Sequence, residues 1–279
     1  MSCPLCDDTG WKPVERDGVR RVVRCDCWRE GLTKRLLEEA RIPVRYRKRT
    51  LDTLISYPNE KFLEAVEAAR RFAASFPVCD KGLLIIGPPG IGKTHIAVAV
   101  LIEVIRRAGA RGLYYDTRTL LTLIRSSYDP VIKTAPTDYL RPCMEADLLV
   151  LDDLGAERLT DWVEETMSLI VNTRYNNRKL TIFTSNYEDI PGDDLNTLLP
   201  RVGFRLHSRL REMCTFLEYD GADYRDAPPN AGPDDLYNLW KATPRRKLPA
   251  RAKGPIRAQL RHPEGKGRDL GWSGGRAGS

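Results

Sequence analysis

Residues 82 to 94 read Gly-Leu-Leu-Ile-Ile-Gly-Pro-Pro-Gly-Ile-Gly-Lys-Thr, and this stretch decides the fold. Leu83 to Ile86 is a short apolar run that predicts a buried strand. Gly87, Pro88, Pro89, Gly90, Ile91 and Gly92 form a glycine-rich turn before Lys93 and Thr94, and His95 to Leu101 predicts a buried helix. Strand, loop and helix in that order, with the spacing G-x-x-x-x-G-K-T, make the Walker A pattern. Its glycines let backbone N–H groups face phosphate oxygens with no Cβ in the way, and the helix behind adds the positive end of its dipole. Residues 87 to 95 are therefore the candidate nucleotide contacts. Lys93 would neutralise the β- and γ-phosphates of ATP, and the Thr94 hydroxyl would ligate Mg²⁺. A chance glycine turn is the weaker reading, because strand and helix flank the loop on the correct sides.

Residues 148 to 155, Leu-Leu-Val-Leu-Asp-Asp-Leu-Gly, are the second anchor. Four apolar residues ending in acid predict a buried parallel strand that delivers carboxylates at its C-terminal edge, where a phosphate loop also sits. Such a run alone is weak evidence; 59 residues after Lys93 it reads as Walker B. Asp152 would hold the Mg²⁺ shell and Asp153 would orient or activate water. A further strand, Leu180 to Ser185, ends at Asn186, which could reach between the Walker B acid and a γ-phosphate or could simply cap a turn.

The expected helices span residues 31–41, 59–76, 93–108, 117–128 and 160–177, with another carrying Leu206, Leu210 and Met213. Arg45 to Arg49 is expected to be an extended basic linker. Pro130, Pro136 and Pro142 mark a loop with room for one short helix.

The N-terminus carries Cys3, Cys6, Cys25 and Cys27, separated by two short strands that turn at Asp17-Gly18. The hairpin would bring the cysteine pairs together, and four thiolates satisfy one tetrahedral Zn²⁺. So small a segment cannot bury enough surface to fold alone, so a metal would supply the missing free energy. No apolar stretch approaches the roughly 20 residues that span a bilayer, and Met1 to Pro4 lacks a signal pattern. These features place the chain in the cytoplasm, with no membrane partner and with reduced cysteines.

The chain of 279 residues has a net charge of +7, but residues 241 to 279 hold eleven Lys and Arg against two Asp and Glu, leaving the remainder at −2. This Pro/Gly-rich basic tail is expected to be mostly disordered, with Trp240 and Trp272 as possible anchors for a partner.

Taken together, Walker A, the Leu-Asp-Asp-Leu-Gly strand, Thr-Ser-Asn, Ser-Arg-Leu-Arg-Glu-Met, Asp-Tyr-Arg and the lead-in Arg-Ile-Pro-Val-Arg-Tyr-Arg resemble the AAA+ ATPases of the DnaC/DnaI type, the bacterial and phage helicase loaders. IstB-type transposition helper ATPases are similar over the same span, roughly residues 40 to 226. The resemblance implies an α/β P-loop NTPase fold, a parallel sheet flanked by helices. It divides the chain into a zinc-binding segment and helix (1–40), an AAA+ domain (41–227) and the tail (228–279). Asn186 stands at the sensor 1 position, and Asp153 at the catalytic acid, which is more often Glu. Arg209 matches the arginine finger, which acts on the nucleotide of a neighbouring subunit, and Arg225 matches the sensor 2 arginine. The implied function is ATP-dependent loading of a replicative DNA helicase onto single-stranded DNA, with self-association through the AAA+ domain. The zinc segment and first helix would dock the helicase, and Tyr128 would lie near the DNA. The alternatives are an ATPase helper of a DNA transposase and a nucleotide-switched DNA-binding adaptor with little turnover.

Overall fold

The chain opens on an antiparallel hairpin, β1 (Trp11–Arg16) and β2 (Val19–Arg24), whose strands pair from Trp11 with Arg24 to Arg16 with Val19. Helix α1 (Asp26–Glu39) follows, then a 3-10 turn (Val44–Tyr46) and α2 (Glu60–Ser75). The body continues as β3 (Gly82–Ile86), α3 (Lys93–Ala108), β4 (Gly112–Asp116), α4 (Thr117–Ser126), α5 (Thr137–Glu145), β5 (Leu148–Asp152), α6 (Asp161–Asn176) and β6 (Leu180–Ser185). It closes with α7 (Leu198–Val202), α8 (Phe204–Met213), β7 (Cys214–Glu218) and α9 (Pro233–Ala242). This computed structural model describes residues 3–7, 9–16, 18–129, 131, 133–190 and 196–242, all within one unit spanning 1–248.

Five strands form one parallel sheet in the order β4-β5-β6-β3-β7. Side chains alternate across it as strand geometry requires. Leu83 and Ile85 pack with α2 and α3 on one face, while Leu84 and Ile86 pack with α4, α6 and α8 on the other. Both faces are covered, so β3 and β5 are buried along their whole length, which explains their unbroken apolar runs. Ile96 to Ile102, Val104 and Ile105 are all buried, so α3 is apolar nearly all round and sits inside the domain. Each fully buried Leu or Ile there contributes about 1.5–3 kcal/mol. The α/β class, the parallel sheet and the flanking helices match the expectation from sequence.

The helix α2 begins where Asn59 caps it: Asn59 Oδ1 accepts from Phe62 N at 3.2 Å. The same side chain donates to the Asp220 carbonyl at 2.8 Å, tying this cap to the turn that carries Arg225.

Three local expectations change. First, α1 starts at Asp26 rather than Gly31, so Cys27 lies in its first turn. Its end packs into the core through Leu36 and Ala40, and the Ala40 carbonyl accepts from Tyr114 N at 2.9 Å on the edge strand β4. The boundary expected at residue 40 thus falls inside a packed junction. Second, Val44–Tyr46 is a 3-10 turn, not an extended linker, because Pro43 and Val44 carbonyls accept from Tyr46 and Arg47 N–H groups. Third, residues 233–242 are helical, although the tail was expected to begin at 228. Leu236 is buried and Trp240 packs against Tyr57 at 6.0 Å, so two apolar anchors separated by one turn hold α9 on the body. The rest of the basic tail, Trp272 included, lies outside the described residues.

Candidate nucleotide site

The C-terminal ends of β3, β5 and β6 meet at one edge of the sheet, where α/β folds bind ligands. The loop after β3 is the Walker A stretch. Two glycines there answer to close approach. A Cβ on Gly87 would lie 2.1 Å from the Tyr219 carbonyl oxygen, and one on Gly90, which has φ +86°, would lie 2.0 Å from Asp223 Oδ1. Side chains at either position would push the loop off β7 or off the Asp223 turn.

Lys93 opens α3 and is nearly buried. Its Nζ donates to the carbonyls of Gly87 (2.8 Å) and Pro88 (2.7 Å) and to Asn186 Oδ1 (2.7 Å). Burial lowers its pKa to about 8, opposed by the nearby charges of Asp153 and Asp152. Lys93 therefore stays mainly protonated at neutral pH.

Asn186 also donates from Nδ2 to Asp153 Oδ1 at 2.5 Å, so one amide bridges the lysine and the second acid. Asp153 adopts φ 58°, a left-handed conformation that Asp tolerates better than most residues. That turn lets Leu154 N donate to the Thr184 carbonyl at 2.7 Å. Burial raises the Asp153 pKa, and the charges of Asp152 and Asp116 add to the effect.

Asp152 is held from three sides. The Thr94 hydroxyl donates to Oδ1 (2.9 Å) and Oδ2 (3.0 Å), Thr184 Oγ1 to Oδ1 (2.6 Å) and the Tyr114 hydroxyl to Oδ2 (2.7 Å). Thr94 and Asp152 thus juxtapose a hydroxyl and a carboxylate, the hard oxygen donors that suit Mg²⁺. Sequence reasoning missed Thr184 and Tyr114. Both lie on strands that flank β5 in the sheet order, so their signal appears only once that order is known.

Asp223, also missed, packs its carboxylate on Gly90, while Tyr224 N donates to the Gly90 carbonyl at 3.1 Å. Arg225, next in the same turn, is exposed; its N–H donates to Asp223 Oδ1 at 3.0 Å, and its charge counts among those lowering the Lys93 pKa. The His95 ring is committed elsewhere, with Nε2 2.8 Å from the Thr50 carbonyl, so any nucleotide contact there falls to its backbone.

Arg209 is not gathered into this cluster. Its Nη1 donates to the Arg205 carbonyl at 3.1 Å and its guanidinium lies 6.0 Å from the Tyr175 ring centre, both on the helix pair α6 and α8.

The four N-terminal cysteines do come together. Cys3 and Cys25 sulfurs are 3.7 Å apart, Cys6 and Cys27 sulfurs 3.3 Å, and all four lie within 4.8 Å of one another. Tetrahedral zinc with Zn–S bonds of about 2.3 Å needs sulfurs about 3.8 Å apart, so this donor set fits the ion. Among the described residues the hairpin has no core of its own, since every β2 residue is exposed, yet Cys6 and Cys25 are buried.

Known proteins share this architecture. Residues 34–191 match the family described as IstB-like ATP binding protein. Phage-like element PBSX protein XkdC of Bacillus subtilis is 28% identical over 223 residues, covering 76% of this chain and 79% of XkdC. The replicative helicase loader DnaI of the same organism is 29% identical over 108 residues, 38% of this chain and 33% of DnaI. The crystal structure of the DnaC helicase loader superposes with a TM-score of 0.55 at 36% identity, covering 63% of this chain and 99% of that one. With the phosphate loop, the paired acids and the asparagine on adjacent strand ends, these matches show that the chain belongs to the IstB-like ATP-binding family of AAA+ proteins, which it shares with the DnaC/DnaI-type helicase loaders.

Proposed function

We propose that the protein is a cytoplasmic ATPase that loads a replicative DNA helicase onto single-stranded DNA. The likeness to the DnaC helicase loader over 99% of its solved chain carries this reading. ATP binds with Gly87 to His95 around its phosphates. Lys93 exchanges the Gly87 and Pro88 carbonyls and Asn186 Oδ1 for phosphate oxygens, and Thr94 and Asp152 would hold Mg²⁺, which would offset charge on the phosphates. Asp153, steered by Asn186, orients a water; the water oxygen bonds to the γ-phosphorus as the bond to the β–γ bridging oxygen breaks, and the proton the water gives up leaves on the phosphate product, giving ADP and phosphate. Arg225 stabilises charge on the chain's own nucleotide, and Arg209 does so on a neighbour's. The nucleotide state then sets whether helicase and DNA are held or released. In this reading Tyr128, which is exposed just past α4, stacks on a base.

Affinity capture with the full chain and ATP tests this. Recovery of the replicative helicase supports it. Recovery of a transposase instead supports the helper reading, which the IstB-like family match favours. DNA binding that responds to ATP and persists unchanged in Asp153→Asn would leave a binding switch in place of an ATPase.

Lys93→Ala is expected to weaken ATP binding roughly 100-fold or more, about 3 kcal/mol, because a buried cation and its hydrogen bonds to phosphate are lost. Titration with a fluorescent ATP analogue reads this directly; unchanged affinity would refute the site. The cysteine cluster is proposed to hold zinc as a structural ion that fixes the hairpin for docking. About one zinc per chain is expected, lost in Cys25→Ser, as measured by metal analysis of the purified protein.

A further inference from the structure

A polar tie outside the nucleotide cluster joins the strand ending at Asn186 to the helix that carries Arg209. Asp189 Oδ1 lies 2.6 Å from His207 Nε2, and the two side chains are only 13% and 10% exposed. The other carboxylate oxygen is 4.0 Å from the Arg211 guanidinium. His207 and Arg211 are one turn apart on α8 and bracket Arg209, so one carboxylate grips two turns of that helix.

The path from Asn186 to Asp189 is three residues long and has little slack. Tyr187 N donates to Ser185 Oγ at 3.2 Å, and Ser185 Oγ donates to the Leu154 carbonyl at 2.9 Å. The Tyr187 ring lies under the Arg201 guanidinium at 4.5 Å, and the Glu188 carbonyl accepts from Leu198 N at 2.9 Å. Residues 185, 187 and 188 of this segment are thus each held by a contact outside it or to a neighbour within it.

At its far end α8 is tied to α6, where the Tyr175 hydroxyl donates to Glu212 Oε1 at 2.7 Å. Leu206, just before the first tie, and Leu210, between the two, pack on the apolar core. Residues 207 and 209 are about 200° apart around a helix. His207 thus faces inward to Asp189, while Arg209 leaves from the other side.

We propose that Asp189 and His207 are positioning residues that couple the nucleotide site of one subunit to the arginine it offers the next. Exchange of Lys93 from Asn186 to phosphate moves Asn186, Asp189 follows, and α8 turns about its Glu212 tie so that Arg209 is aimed or withdrawn. The coupling rests on the reading of Arg209 as a residue that acts on a neighbouring subunit. It gives that reading a direction: the ATP-bound subunit presents its arginine, and the empty one does not.

Subunit mixing tests the direction. An Asp153→Asn subunit binds ATP and offers Arg209, whereas an Arg209→Ala subunit keeps its own site and lacks the arginine. Their mixture hydrolyses ATP only where the first completes the second. His207→Leu placed in the Asp153→Asn donor is expected to lower this turnover about tenfold; placed in the Arg209→Ala acceptor, it should leave turnover and ATP affinity unchanged. Asp189→Asn should reproduce the pattern, and the two together in the donor should cost no more than either alone. A loss that follows the acceptor, appears in both arms or appears in neither overturns the coupling. If the parent mixture itself shows no turnover, the trans role of Arg209 fails before His207 is tested. Should His207→Leu melt early, Asp189→Asn in the same arms decides.

Discussion

Arg209→Ala is expected to lower ATP turnover on the order of 1,000-fold while changing ATP affinity by less than about twofold. The reason is geometric. Within its own chain Arg209 touches Arg205 and Tyr175, whereas Lys93, Asn186, Asp153, Thr94 and Asp152 are bonded to one another. Loss of Arg209 leaves that cluster whole, so ground-state binding survives. On the proposed trans role it removes a cation that counters charge spreading over the γ-phosphoryl oxygens of a neighbour's nucleotide in the transition state. Two measurements check this. Turnover per subunit of the unaltered protein should rise with protein concentration, because on the proposed trans role a second chain completes each site. Mixing Arg209→Ala with Asp153→Asn should restore part of the activity that neither has alone. A diluted monomer as active as the concentrated protein would refute the trans role. The interface needed is head-to-tail, which builds a ring or a filament rather than a closed pair.

Arg174→Ala is expected to lower stability by about 4 kcal/mol, seen as a fall in melting temperature of roughly 10 °C. Arg174 is fully buried, and burial lowers its pKa to about 10, so it remains charged at neutral pH. Its guanidinium faces carbonyls rather than a carboxylate. Nη1 donates to Cys143 and Ala146 at 2.8 Å each and to Met144 at 3.4 Å; Nη2 donates to Leu180 at 2.5 Å, and Nε to Thr181 Oγ1 at 2.8 Å. These include the last carbonyls of α5, which have no partners within the helix. One planar fork thus caps α5 and fastens it to β6. Alanine would leave several buried acceptors unpaired and a cavity beside them. Arg174→Lys should recover only part of the loss, because an ammonium keeps the charge but cannot span the same acceptors. Thermal melting of the three proteins orders them; equal melting temperatures would show that the capping contributes nothing.

Arg174 also marks how far sequence reading reaches. On α6, Val163, Met167, Ile170 and Arg174 recur at helical spacing, so the arginine falls on the apolar stripe. That position signals a buried cation, but the carbonyls it serves at the end of α5, Cys143, Met144 and Ala146 just past it, lie 28 to 31 residues away and could not be named. Tyr114 and Thr184 carry still less signal. A tyrosine and a threonine suit any strand, and only the neighbours of β5 reveal that both hold Asp152.

What the sequence determined by itself was which residues gather at the strand ends of the candidate nucleotide site. Gly87 to Thr94, Asp152, Asp153 and Asn186 could be placed because each is bound to one short strand end. Backbone direction and residue type there leave little freedom. The four cysteines were legible for a related reason, since a tight hairpin brings its own ends together. Only the tertiary structure decided what connects these pieces: the sheet order that sets Thr184 and Tyr114 around Asp152, the Asp223 turn folded onto Gly90, the docking of α9 on Tyr57, and the Asp189–His207 tie. Each is a pairing between residues far apart in the chain. Local propensity does not encode such partners, because many sheet orders satisfy the same apolar pattern and only packing selects among them.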